Sequence, residues 1–232
     1  SFPSVDAACQ AVMTTIQYGI PVARMELLDA LSVQAVNAHA GLGLPETPLL
    51  LLEFHGSEAG VAEQSATFGE IAADCGGSGF DWTTNPEDRT RLWKARHEFY
   101  WAALHMRPGA TGFATDVCVP ISRLAEAVAR SNEMVAELGL TGMIVGHVGD
   151  GNFHTTLLVD MEDADELARA EQFVGRLNDV AISMEGTCTG EHGIGQGKRP
   201  YLARELGPAL GAMRAIKAAL DPLGIMNPGK IL

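Results

Sequence analysis

The sequence predicts an α+β fold, an antiparallel sheet with helices packed on it. Three observations carry this. Apolar residues make up 47% of 232 positions and are spread along the whole length, enough for one large domain or two small subdomains sharing a core. Helical and strand patterns alternate, but without the regular right-handed order that builds a parallel sheet. The stretch Gly146–His154, Gly-His-Val-Gly-Asp-Gly-Asn-Phe-His, also holds an Asp-Gly turn signal that joins neighbouring strands antiparallel.

The elements follow in order. Ser4-Val5-Asp6 opens a helix whose apolar positions run through Val12, Ile16 and Ile20. Val22–Leu27 alternates like a half-buried strand. A short helix spans Leu31–His39, and Leu49–Phe54 reads as an apolar strand. Ser57-Glu58 starts a helix to Asp74, which Gly76-Gly77-Ser78-Gly79 breaks before a strand over Phe80–Thr83. Pro86-Glu87-Asp88 starts a longer helix through Arg96 to His105, ended by Arg107-Pro108-Gly109. A strand over Thr111–Val119 leads into a helix over Ile121–Leu138, introduced by Pro120. The hairpin supplies strands Thr141–Gly149 and Asn152–Val159. A helix over Asp163–Met184 precedes a glycine-rich knot, and the last helix, Pro208–Leu220, is stopped by Asp221-Pro222 ahead of Asn227-Pro228-Gly229-Lys230.

Composition excludes several function classes. A net charge of −13 and a pI near 4.9 leave no basic face for phosphates, so nucleic acid is not an expected partner. The same balance disfavours an anionic membrane surface. Apolar runs such as Pro48–Leu52 are far too short to span a bilayer, and no signal peptide is visible. Cys9, Cys75, Cys118 and Cys188 are scattered without a Cys-x-x-Cys pair, the usage of reduced, buried thiols. The expectation is therefore a cytoplasmic protein, with peripheral attachment at a membrane as the alternative. The start at Ser1-Phe2-Pro3, without Met, suggests part of a longer polypeptide.

The hairpin carries the chemistry. With Asp150-Gly151 as a two-residue turn, Gly149 faces Asn152, Val148 faces Phe153 and His147 faces His154. Opposite side chains share a face with Cβ atoms about 5 Å apart, so both imidazoles can converge on one metal ion at about 2.1 Å per bond. The pair needs a third ligand, and a second polar knot, Thr187-Cys-Thr-Gly-Glu-His-Gly-Ile-Gly195, supplies a candidate. Cys188, inside that knot, is a small buried residue rather than a nucleophile. Gly193–Lys198 is not a phosphate loop: His192 stands where its first glycine belongs and Arg199 replaces the Ser or Thr. The dinucleotide pattern fails because Lys198 takes its third glycine. Asp150-Gly151-Asn152 lacks the carboxylate ladder of a calcium loop.

His147-Val-Gly-Asp-Gly-Asn-Phe-His154, Thr189-Gly-Glu-His-Gly-Ile-Gly195 and Asn227-Pro-Gly-Lys230 together resemble the C-terminal half of the FAD-dependent D-2-hydroxyacid dehydrogenases. These are flavoproteins of the vanillyl-alcohol oxidase type, and they include D-lactate dehydrogenase, glycolate oxidase and D-2-hydroxyglutarate dehydrogenase. Leu51-Leu-Glu-Phe-His-Gly56, Leu92-Trp-Lys-Ala-Arg-His97, Thr115-Asp-Val-Cys-Val-Pro-Ile-Ser122 and Thr187-Cys-Thr189 resemble the cytochrome-type D-lactate dehydrogenases in particular. The likeness covers essentially the whole chain.

The resemblance implies that residues 1–232 are the substrate- and metal-binding domain of a two-part enzyme, an antiparallel sheet built from ferredoxin-like halves, while an FAD-binding domain lies outside this chain. It implies a divalent metal, Zn or Mn, on His147, His154 and Glu191. His192 is the general base, Arg96 binds the substrate carboxylate, and Asn227 faces the flavin. The partners implied are a small 2-hydroxy acid, the FAD-binding domain of the same polypeptide and an electron acceptor: a cytochrome, a quinone or an electron-transfer flavoprotein. The chain alone is expected to fold without holding FAD or turning over substrate. Where dicarboxylate-specific members carry a lysine, this sequence has Ala114, which points to a short or apolar 2-hydroxy acid. Two other classes fit the bare residues: a non-redox, metal-dependent organic-acid-binding module, and a metal hydrolase with a two-His, one-Glu site.

Overall fold

The computed structural model describes residues 1–232, the side chain of Ala95 excepted. Its centre is a sheet of strands β1 (Val22–Leu28), β2 (Leu49–Phe54), β3 (Thr111–Ala114), β4 (Val117–Cys118), β5 (Gly142–His147) and β6 (Asn152–Val159). The order is β2-β1-β5-β6-β3, with β4 also paired to β6, and every pairing is antiparallel. Strands from the two halves of the chain meet where Glu26 of β1 lies opposite His147 of β5, so one sheet runs through both halves.

Helices cover both faces. Alternation along each strand sends Met25, Leu27, Ile144, Phe153 and Leu157 to one side. That side is closed by α1 (Val5–Gln17), α3 (Glu58–Asp74), α6 (Leu124–Glu137) and α7 (Ala164–Ser183). Leu28, Met143, Val145 and Leu158 point to the other side, which is closed by α2 (Ala30–Ala40) and α5 (Phe99–Met106). Each fully buried side chain of this size stabilises by roughly 1.5–3 kcal/mol. Helices α4 (Pro86–His97), α8 (Arg199–Leu206) and α9 (Ala209–Leu220) lie further out. Local chemistry starts these helices where the sequence indicates: Ser4, Asp29, Ser57, Asn85 and Asp163 each accept an amide of the first turn. Asp29 reaches further, since its second oxygen accepts the Ile144 amide at 2.9 Å and ties α2 to β5.

The structure departs from the sequence expectations at five places. The hairpin pairs Val145, not His147, with His154. Its connection is four residues long, Val148–Gly151, because Val148 turns into the core and Asn152 pairs with Cys118 of β4 instead of Gly149. The slip is an even number of residues, so no side chain changes face; His147 and His154 stay together as diagonal neighbours. Phe80–Thr83 is not a strand. Asp81 and Thr83 bond the backbone nearby, at Trp82 and Asn85, which competes with ladder formation, and Phe80 packs on Phe68. The helix expected through His105 breaks at Glu98, which lets α5 bury Phe99, Ala102 and Ala103. The strand expected over Thr111–Val119 is interrupted at Thr115-Asp116, and α8 lies where no helix was expected. Among the described residues no helix is long and apolar enough to cross a membrane.

Candidate metal and substrate site

The diagonal histidines sit at the end of the sheet that α4 overhangs. His147 is held by its neighbour across the ladder: its Nδ1–H donates to Glu26 Oε1 at 2.5 Å. Glu26 is itself 5% exposed and receives Arg96 on its other oxygen, from Nε at 3.0 Å and from Nη2 at 2.9 Å. Burial alone would push the Glu26 carboxyl up, but the His147 hydrogen bond and the Arg96 charge outweigh it and hold it low. The same hydrogen bond raises His147. His154 is deeper, and its Nδ1–H donates to the Thr115 carbonyl at 2.9 Å. Burial lowers its pKa, and that carbonyl sets the tautomer of its neutral form.

These partners leave both Nε2 atoms facing one oxygen. Glu191 Oε1 is 3.1 Å from His154 Nε2 and 3.3 Å from His147 Nε2. An acceptor lone pair and a carboxylate oxygen do not sit together without a cation between them, whether a proton or a metal ion. Ligand atoms at about 2.1 Å from one tetrahedral ion lie about 3.4 Å apart, close to the separations seen. The donor set, two imidazoles and a carboxylate with a carboxylate and a carbonyl behind them, is of a kind that can hold a divalent metal ion. His192 stands beside it, its ring 5.2 Å from that of His154 and its side chain 60% exposed. Asp116, His154 and His192 also bring ligand-type atoms together, but Asp116 is not available: its carboxylate already accepts from Thr189, Gly190, Glu191, His192 and Lys198. Burial would raise this carboxyl, yet those amides and the Lys198 charge bring it down to about 2.

Beside the histidines opens a cleft of about 480 Å³ whose wall includes Arg24, Glu26, Trp93, Arg96, His97 and His147. Arg96 thus lines a cavity next to the cluster while already paired with Glu26. Ala114, opposite Thr156, shares the face that carries His154. Asn227 is remote from this group in its contacts. It is exposed, with a left-handed backbone (φ 45°), in a tail that returns to the glycine knot through the Ile231 amide on the Gly195 carbonyl at 2.7 Å.

Sequence reasoning found the two histidines, Glu191, His192 and Arg96, which the structure brings together. It missed Glu26, Thr115, Asp116 and Lys198 as parts of the site. Alternation places Glu26 on the strand face opposite Met25 and Leu27, the face it shares with Arg24, so in sequence it reads as an ordinary outward acid.

Comparison with known proteins gives a consistent result. The family described as FAD linked oxidases, C-terminal domain, matches residues 1–231. The chain is 48% identical over its full length to "Probable D-lactate dehydrogenase, mitochondrial" of Danio rerio, covering 47% of that protein. It is 43% identical over its full length to "D-lactate dehydrogenase [cytochrome], mitochondrial" of Arabidopsis thaliana, covering 41% of it. With the glycolate oxidase subunit GlcD of Bacillus subtilis the identity is 34%, covering 99% of this chain and 49% of that protein. The chain thus spans about half the length, or less, of the relatives it matches. Two of them are named mitochondrial, which does not fit the cytoplasmic expectation. Among solved structures, 4-ethylphenol oxidase from Gulosibacter chungangensis aligns with a TM-score of 0.72 at 16% identity, over 99% of this chain and 52% of that one. p-Cresol methylhydroxylase aligns with a TM-score of 0.69 at 16% identity, over 99% and 51%. At that identity the likeness is one of fold.

Proposed function

The chain belongs to the FAD-linked oxidases as their C-terminal domain, and we propose that it forms the substrate and metal side of an enzyme oxidising D-2-hydroxy acids, D-lactate in particular, to 2-oxo acids. The observation that carries the reading is the convergence of His147 Nε2, His154 Nε2 and Glu191 Oε1 beside a cleft containing an arginine. In this reading a domain outside the chain, on the same polypeptide, binds FAD, and Asn227 faces it. A cytochrome, quinone or electron-transfer flavoprotein takes the electrons; the word cytochrome in the name of the Arabidopsis relative supports the first of these.

His147, His154 and Glu191 would hold the metal. When bound, the metal supplies Lewis acidity toward the substrate hydroxyl, and the flavin supplies the hydride acceptor. The protein's own residues do the rest. Arg96 binds the substrate carboxylate through the guanidinium N–H groups it does not spend on Glu26, and the Glu26 pairing keeps its planar fork oriented. His192, exposed and next to Glu191, takes the hydroxyl proton at Nε2 as general base. Ala114 offers no cation for a distal carboxylate, which favours a monocarboxylate. A glycolate oxidase role has weaker support, 34% identity against 48%. Membership in a flavin-linked family removes the motivation for a hydrolase.

The test is His154→Ala in the full polypeptide. Elemental analysis should show metal content collapsing, and anaerobic D-lactate should no longer bleach the flavin. Unchanged metal stoichiometry would refute the site.

A further inference from the structure

We propose that Asp116, seconded by Lys198, is the positioning residue of this site: it gathers the Thr189–His192 segment so that Glu191 and His192 converge on His154. The metal half of this inference rests on the reading above; the clamp itself is a property of this chain. Thr189–His192 belongs to no helix or strand, so ladder hydrogen bonds do not hold it. Instead its donors turn to one carboxylate. Asp116 Oδ2 accepts Thr189 Oγ1–H at 2.9 Å, the Gly190 amide at 2.9 Å and the His192 amide at 3.0 Å, while Oδ1 accepts the Glu191 amide at 3.2 Å. Three successive amides aimed at one anion form a concavity that ordinarily binds a free anion; here a side chain of the protein fills it.

Lys198 closes the arrangement from the far side of the loop. Its Nζ donates to the Asp116 carbonyl at 2.6 Å and to Oδ2 at 3.2 Å. The segment is also pressed onto the sheet: a Cβ on Gly190 would lie 2.2 Å from Asn152 Oδ1, so only glycine lets the backbone come that close. Asp116 is in turn fixed by the residue before it. Thr115 donates its hydroxyl and amide to the Thr155 carbonyl, accepts the Thr155 amide on Oγ1, and takes His154 Nδ1–H on its own carbonyl. One dipeptide therefore orients the imidazole through Thr115 and the carboxylate-bearing loop through Asp116. The break between β3 and β4 is what frees it to do both.

The experiment compares Asp116→Asn, Asp116→Ala and Lys198→Met with the parent protein in the full polypeptide, by Mn²⁺ and Zn²⁺ titration calorimetry and by amide hydrogen exchange. Loss of a group that orients a metal ligand should weaken metal affinity roughly 10–100-fold, with Asp116→Asn, which keeps one acceptor oxygen, less affected than Asp116→Ala. Exchange should accelerate at Gly190, Glu191 and His192 and stay unchanged in β5 and β6. Metal affinity within twofold of the parent together with unchanged exchange in that segment would overturn the inference, as would faster exchange spread evenly over the sheet. Lys198→Met removes one donor and leaves the carboxylate in place, so it reports even where an Asp116 variant does not fold. If the parent itself binds neither metal, the metal reading fails while the exchange data still decide the clamp.

Discussion

Replacing Glu26 by Gln tests the least expected part of the site. The change keeps the side chain's size and removes its charge, leaving Arg96 without its counter-ion and His147 without a full carboxylate acceptor. Glu26 is buried at 5% exposure and Arg96 is partly buried at 12%. Removing one partner of a buried pair costs about 3–5 kcal/mol; because Arg96 opens onto the cleft, the lower end, about 3 kcal/mol, is expected. For a domain of this size each kcal/mol shifts Tm by roughly 2–4 °C, so thermal unfolding by circular dichroism should show a fall of about 6–12 °C. Metal affinity should drop roughly 10–100-fold, since the histidine loses the carboxylate that orients it. The double variant Glu26→Gln/Arg96→Met removes the orphaned charge, and it should recover part of the lost stability but none of the metal affinity. A fall in Tm below about 2 °C with unchanged metal binding would refute the claim that this carboxylate holds both groups.

Two further outcomes follow from other parts of the chain. In the full enzyme kcat/KM should favour D-lactate over D-2-hydroxyglutarate, and Ala114→Lys should shift the ratio toward the dicarboxylate; an inverted preference in the parent would remove the role given to this position. Arg107 donates to Glu166 and holds its carboxyl below the ordinary 4.5. A depressed carboxyl contributes stability that is complete above its unfolded pKa and is lost as pH falls through the folded value. The Tm gap between the parent and Glu166→Gln should therefore be widest near neutrality and close on acidification below about pH 4.5; a gap that widens in acid would contradict the pairing.

Much of this molecule was legible in one dimension. Strand and helix periodicity, the helix starts at Ser4, Ser57, Pro86 and Asp163, and the glycine and proline stops are local signals, and the elements they mark occur close to where they were expected. The paired histidines were legible for a related reason. Side-chain alternation survives an even slip of register, so His147 and His154 share a face even though the turn at Asp150-Gly151 is longer than the sequence suggests. Glu191 and His192 were visible because glycines surround them.

Tertiary structure alone decided what stands behind these residues. Glu26 reaches His147 across 121 positions of sequence and Asp116 reaches His192 across 76, separations that no local pattern encodes. Both are carboxylates buried against partners that arrive from other elements, and the burial that makes them matter exists only once β1 meets β5 and the glycine knot folds back over β6. The break at Thr115-Asp116 has the same origin. Between two strand segments the Thr115 carbonyl accepts His154 Nδ1–H and the Asp116 carboxylate accepts a run of amides, partners that arrive only in the folded chain.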